Sequence, residues 1–380
     1  MCQSGGFTFL LYMDNVIYIL LFIPSVLIIE KLGMKIALLL AAALSVGGAW
    51  LALAVEGSEA VRIIGQLVVD CGFPLVASSV TKMPAQWFPF RERYYSTSFG
   101  VLAGLLGYAI GDSSGEIFGV TNPIAFAIFL SVVGGVSIAL LLVFYTDKPL
   151  DPPSYSEATK DNSPFNLRQS ISDFFSREGL LVVTIASALF ITFIVDISKG
   201  LGNIITIGDG LDQDVEGITV FFYVPGILSV MLPALYLGRG VTEYKTVFSI
   251  ITIASFVTLG LLVVAIAYAH ESQYFLYTMA IICGFVTNMG MPLCYEIVTE
   301  TGHPLSEALT AGAVHAMYGL LRIMLKVLNK LLDSTSSGIE STAYCFVLIV
   351  LVFLSFVLMF FAKVKYRRLK PELKHEANQL

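Results

Sequence analysis

Four residues of one apolar stretch, His315, Tyr318, Arg322 and Lys326, recur at intervals of three or four. At 100° per residue they share one narrow arc of a helix, with Lys330 close behind. An imidazole, a phenol and a row of cations would make an electropositive path suited to a carboxylate or phosphate. The alternative is that Arg322, Lys326 and Lys330 lift their charged heads to the edge of the apolar layer and pair with loop acids such as Asp212 or Asp214. His315 lies too deep for that explanation. Asp196 and Lys199, three apart in another apolar stretch, read either as a structural pair that lowers the cost of burying both or as a proton- or substrate-binding pair. Asp70, beside Cys71 and Gly72, has no evident partner nearby in sequence. Desolvation moves the pKa of such an acid toward neutrality, which makes it a proton-coupling candidate.

A second set of charges stands at the ends of apolar stretches: Arg91, Glu92 and Arg93 at one, Glu296, Glu300 and Glu307 around another. Glu296 and Glu300 are four apart and share a helix face. Salt bridges between the two sets would close one mouth of a path and break when it opens; the alternative is interfacial charge that only fixes topology. No catalytic constellation accompanies them. The four histidines (His270, His303, His315, His375) are dispersed and a GxxxxGK[ST] phosphate loop is lacking, so no catalytic residue, metal or cofactor is expected. Cys71, Cys283, Cys294 and Cys345 lack CxxC spacing and read as small residues in apolar surroundings.

The elements that position these residues follow from hydropathy. The 380 residues are 56% hydrophobic and 13% charged, outside the range of soluble domains. Eleven apolar runs, near 7–29, 36–55, 61–83, 94–117, 123–146, 179–202, 217–238, 245–269, 273–298, 305–331 and 341–363, reach the roughly 20 residues that span a bilayer. Alternating ten-residue strands are lacking, so the fold class is an all-α membrane protein. Cations gather in alternate loops, at Lys31 and Lys35, Lys82 to Arg93, Lys148 to Arg177, Arg239 and Lys245, and Lys363 to Lys374, whereas the other loops carry acids such as Glu56, Glu59, Glu116, Asp209 and Glu271. The positive-inside rule makes the first set, and the C-terminus, cytoplasmic. The first run lacks a basic lead and continues into Glu30 and Lys31, which predicts a retained helix, not a cleaved signal.

This divides the chain into an N-terminal helical bundle (1–146), a cytoplasmic linker (147–178), a C-terminal helical bundle (179–363) and a cytoplasmic tail (364–380). Within the linker, Pro152-Pro153-Ser154-Tyr155 is a PPxY sequence, the kind of extended Pro-rich segment that WW domains bind; such short motifs also arise by chance in Pro-rich linkers. Residues 170–178, with Ile171, Phe174 and Phe175 on one side, predict a short amphipathic helix at the membrane surface or a simple lead into the next span. The partners expected are the lipid bilayer and a small-molecule substrate, with no nucleic acid.

Five spans, a long inner loop and six spans resemble the major facilitator superfamily with one helix short. The loop Glu30-Lys31-Leu32-Gly33-Met34-Lys35 resembles the acidic/Gly/basic loop between that family's second and third helices, which predicts that helix one is not encoded here. Two further segments are more specific. Trp87-Phe88, Glu92-Arg93, Thr97, Val101-Leu102 and Leu106-Gly107, then Pro292, Glu296, Glu300, Pro304 and Glu307, are similar to the signatures of FLVCR-type facilitators, the group of the feline leukaemia virus subgroup C receptor. The resemblance covers essentially the whole chain. It implies two pseudo-symmetric bundles, alternating access without ATP hydrolysis, and haem or choline/ethanolamine-type cargo. Choline recognition in that group leans on an aromatic residue of helix one and on Gln in helices five and eleven, where this chain has Leu105 and, near the second position, Gly319. The charged stripe therefore favours an amphipathic anion over a choline-like cation. The alternative to a transporter is a non-transporting membrane regulator or partner of a full-length one.

Overall fold

In lipid a backbone polar group finds no water, so each apolar run satisfies its hydrogen bonds internally and becomes a helix. The computed structural model describes residues 4–54, 58–112, 123–160, 165–205, 215–239, 241–267, 273–333 and 340–378, and every regular element among them is helical. In chain order these are α1 (Ser4–Lys31), α2 (Met34–Leu53), α3 (Glu59–Ser79), α4 (Lys82–Trp87), α5 (Arg93–Asp112) and α6 (Pro123–Phe144), then two linker helices, α7 (Tyr155–Ala158) and α8 (Leu167–Ser176). The second half holds α9 (Leu180–Ile205), α10 (Val215–Ser229), α11 (Leu232–Leu237), α12 (Tyr244–Ala267), α13 (Gln273–Asn288), α14 (Gly290–Gly302), α15 (Glu307–Asp333), α16 (Glu340–Phe361) and the tail helix α17 (Leu369–Ala377).

Ten segments of the described residues are long and apolar enough to cross a membrane. The remaining predicted span is α5, whose 20 residues reach about 30 Å at 1.5 Å per residue; hydroxyl and glycine residues dilute its apolarity. Three predicted spans are each two helices, parting at Val80–Thr81, Val230–Met231 and Met289. The loop acids Glu56, Glu116, Asp209, Asp212, Asp214 and Glu271 and the side chain of Lys199 lie outside the described residues.

Two bundles result. In the first, α3 packs on α1 and α2, and α6 on α2; in the second, α9 packs on α14, α15 and α16, and α13 on α10 and α12. They meet where α15 lies along α1 and α3, and where α5 rests on α10, α11 and α14. Close approach sets these contacts: a Cβ added at Gly284 on α13 would sit 2.0 Å from the Phe222 carbonyl of α10. The α1–α2 turn needs glycine for a second reason. Gly33 has φ 97°, and a Cβ there would meet the Asp147 carboxylate at 2.8 Å. That carboxylate accepts from the Lys35 backbone N–H at 2.7 Å, an anion at the N-terminus of α2 where the helix dipole favours one.

The predicted amphipathic segment is α8. Asn166 caps it, its side chain accepting from Gln169 N, and Ile171, Phe174 and Phe175 line a 360 Å³ apolar cavity with Ile19, Phe22 and Leu309 from α1 and α15.

Candidate substrate path and gates

α15 brings His315, Tyr318, Arg322 and Lys326 to one face, and α1 lies against that face. The approach is close enough that a Cβ on Gly319 would be 2.9 Å from the Asn15 carbonyl. His315 is buried. Its ring stacks on Tyr295 of α14 at 5.3 Å and 11°, and meets Phe73 of α3 edge-on at 5.4 Å. Tyr18 of α1 continues the cluster, 4.8 Å from Phe73 and 6.1 Å from Tyr318. Five rings from four helices of both bundles therefore converge. Tyr295 Oη lies 3.2 Å from His315 Nε2, which holds the imidazole in place.

One turn along α15 from Tyr318, Arg322 is 5% exposed. Its Nε donates to Asp196 Oδ1 at 3.1 Å and its Nη1 to Tyr318 Oη at 3.0 Å. Asp14 of α1 lies 3.9 Å from the same guanidinium and 3.7 Å from Lys326 Nζ. Tyr344 Oη donates to the Asp196 carbonyl at 2.7 Å. The predicted stripe is thus a quartet of two cations and two acids, not a row of unpaired positive charge. Asp196 also binds Arg322, a partner 126 residues away, because Arg322 projects from α15 directly onto α9; its predicted pairing with Lys199 lies outside the described residues. Asp70 has a local partner, Gln66 Nε2 donating to it at 2.9 Å from one turn earlier on α3. Lys330 is exposed near the end of α15.

The second set of charges occupies the linker end, paired differently from expectation. Arg368 precedes α17 at 2% exposure. It reaches Glu296 at 2.6 Å and Glu300 at 2.8 Å, the shared partner that their helical spacing foretold. Leu369 N donates to the other Glu300 oxygen at 3.0 Å, and Thr97 of α5 donates to Glu296 from the opposite bundle. Arg93 pairs elsewhere than with these acids. It lies 3.4 Å from Glu372 of α17 and donates to Ser156 at 3.0 Å and to Ser154. Arg91 pairs with Glu376 at 2.8 Å, and Glu92 is exposed. Glu307 takes Lys160 of the linker at 2.8 Å. The correction has one cause: the tail runs between the two sets, and Arg368 and Glu372, one turn apart with opposite signs, satisfy each in turn. Glu30 of α1 pairs with Lys82 of its own bundle and accepts from Ser306 of the other.

Outside the spans, titration follows these contacts. Burial would lower the Lys160 ammonium pKa, but the charges of Glu307 and Glu157 outweigh it and raise the value. Burial would raise the Glu372 carboxyl; donors from Ser156 and the Arg93 charge prevail and keep it below its ordinary value. His303, between α14 and α15, is pushed down to about 4 by burial. An unfolded histidine takes its proton near pH 6.5. Between about pH 6.5 and 4 the unfolded chain thus binds a proton that the folded chain does not, and stability falls with pH by about 3 kcal/mol in all. The unfolding midpoint of His303→Gln in detergent will fall less steeply than wild type from pH 7 to 5. Parallel slopes would refute this.

Tyr18, Phe73 and Tyr295 were not singled out from sequence, since aromatic residues in apolar runs carry no mark of function. Asp14 did carry one, being an acid inside a span. Arg368 was hidden among tail cations that the topology rule already explained.

Comparison with known proteins places this geometry. The profile of the Major Facilitator Superfamily matches residues 4–325. An uncharacterized MFS-type transporter of Caenorhabditis elegans, C09D4.1, is 24% identical over 85% of this chain, which spans 57% of that protein's length. The choline/ethanolamine transporters flvcr2a of Danio rerio and FLVCR2 of Homo sapiens are 22% and 23% identical, each over 96% of this chain and over 80% and 71% of their own lengths. Among solved structures, the E. coli fucose:proton symporter FucP superposes with a TM-score of 0.72 at 11% identity, covering 96% of this chain and 91% of its own. A bacterial homologue of the iron transporter ferroportin, in an outward-facing state, gives 0.69 at 13%, covering 94% and 90%.

Proposed function

Because the chain belongs to the major facilitator superfamily and is of its FLVCR type, a multi-pass membrane transporter, we propose that it carries a small organic cation of the choline or ethanolamine kind by alternating access. The observation that carries this reading is the neutral quartet beside the aromatic cluster. With Asp14 and Asp196 set against Arg322 and Lys326, the electrostatic argument for an anion such as haem loses its force. The part-exposed rings of Tyr18 and Phe73 offer the quadrupole that attracts an ammonium group, and Tyr318 already holds the Arg322 cation over its ring at 5.6 Å. An amphipathic anion would have to displace the two acids first.

Two gates follow. At the linker end, Thr97–Glu296 and the contacts of Glu30 with Ser306 hold the bundles together; at the other end, Asp14 of α1 meets Arg322 and Lys326 of α15. Both sets are formed in this structure, and rocking would open either mouth by breaking its own set while the other holds. Asp70, near the rings on α3, is the proton-coupling candidate, and the cation-rich linker and tail are assigned to the cytoplasm.

The test is uptake of labelled choline and ethanolamine into proteoliposomes. Phe73→Leu keeps bulk but removes a π face, and the KM is expected to rise about tenfold. Absence of saturable uptake of either amine by wild-type protein would sink the cation reading.

A further inference from the structure

The PPxY sequence of the linker has no part in the path, yet its tyrosine is engaged. Pro152 is exposed, and Tyr155 opens α7 at 38% exposure. One face of the Tyr155 ring is covered by His375 of α17, centroids 4.4 Å apart at 26°. Its backbone N–H donates to Glu372 at 3.1 Å, and Ser156 donates to the same carboxylate from its backbone N–H at 2.9 Å and its hydroxyl at 2.5 Å. Ser154 and Ser156 also accept from Arg93. The tail helix therefore sits on the motif, and the residues that hold it there, Glu372 and His375, are the same turn that neutralises Arg93.

From this geometry we infer that residues 152–155 are a docking motif for a WW-type domain, and that docking competes with α17. A domain of this class grips an extended Pro-Pro segment and the tyrosine ring in an aromatic groove. The prolines are open to it, while the ring is half-taken. Full engagement requires His375 to leave the ring, and Glu372 loses its three donors in the same step. Removing Glu372 also strips Arg93 of its carboxylate, so a partner that seizes the linker loosens the tail from the α5 end. The consequence for gating rests on the two-gate reading above; the competition itself does not.

The test uses the full chain in lipid nanodiscs and a recombinant WW domain of the PPxY-reading class. Glu372→Gln keeps the fold's shape but weakens the tail's hold, and the WW domain is expected to bind it about tenfold more tightly than wild type, the scale of one charge-assisted hydrogen bond. Tyr155→Ala should abolish binding to both. Saturating wild-type protein with the domain should speed hydrogen exchange across 369–377 at least tenfold. Binding that leaves those amides protected, equal affinity for wild type and Glu372→Gln, or no binding even after deletion of 369–380 would each overturn the proposal. None of these readouts measures transport, so failure here is separable from failure of the transport reading.

Discussion

Arg368→Ala will lower stability by about 3–5 kcal/mol, the cost of leaving buried charge without its partner. Arg368 is 2% exposed between Glu296 and Glu300, which are 1% and 2% exposed. Without it, two carboxylates one turn apart keep only the Thr97 hydroxyl and the Leu369 N–H as donors. Two further variants isolate the cause. Arg368→Lys keeps the charge but not the planar fork that serves both acids, and should recover part of the loss. Arg368→Met combined with Glu296→Gln and Glu300→Gln should recover most of it, because replacing the whole buried group removes the uncompensated charge. Unfolding midpoints of detergent-purified protein report all three. An Arg368→Ala protein within about 1 kcal/mol of wild type, the range of an exposed ion pair, would show that the tail only rests on the surface.

Arg322→Ala should reduce maximal transport roughly 100-fold, the equivalent of about 3 kcal/mol, with little change in KM. Arg322 holds Asp196 of its own bundle at 3.1 Å and faces Asp14 of the other at 3.9 Å, so its loss takes this cation from Asp196 and leaves Asp14 with Lys326 at 3.7 Å. Lys326→Ala, by contrast, leaves Asp14 with Arg322 and should change the rate no more than about threefold, as for a half-exposed pair. Flux into proteoliposomes distinguishes the readings. A KM raised by both substitutions for an anionic substrate, with the maximal rate preserved, would restore the anion path and remove the neutral quartet as a structural device.

The helices were legible because a bilayer imposes a length and a composition on every crossing segment. The exception in strength, α5, is where Gly and hydroxyl residues trade apolarity for contact with the other bundle. The α15 stripe was legible too, since periodicity alone puts His315, Tyr318, Arg322 and Lys326 on one face. What periodicity cannot give is the partner. Asp14 and Arg322 stand near opposite ends of the sequence, and only the docking of α1 along α15 joins them. Periodicity puts Glu296 and Glu300 on one face, but the residue that binds both comes from a tail whose five cations all satisfy the same topological rule; burial of one among them is a tertiary fact. Spacing could name Lys199 as a neighbour of Asp196, but the contact with Arg322, 126 residues on, comes only from packing.

The quartet also bears on membrane voltage. Moving one elementary charge through 100 mV takes about 2.3 kcal/mol, which would tax a rocking step that dragged unpaired Arg322 and Lys326 through the field. Asp14 and Asp196 cancel that charge. Movement of the quartet would therefore be close to electrically silent, leaving the membrane potential to act through the cargo and through any proton carried at Asp70.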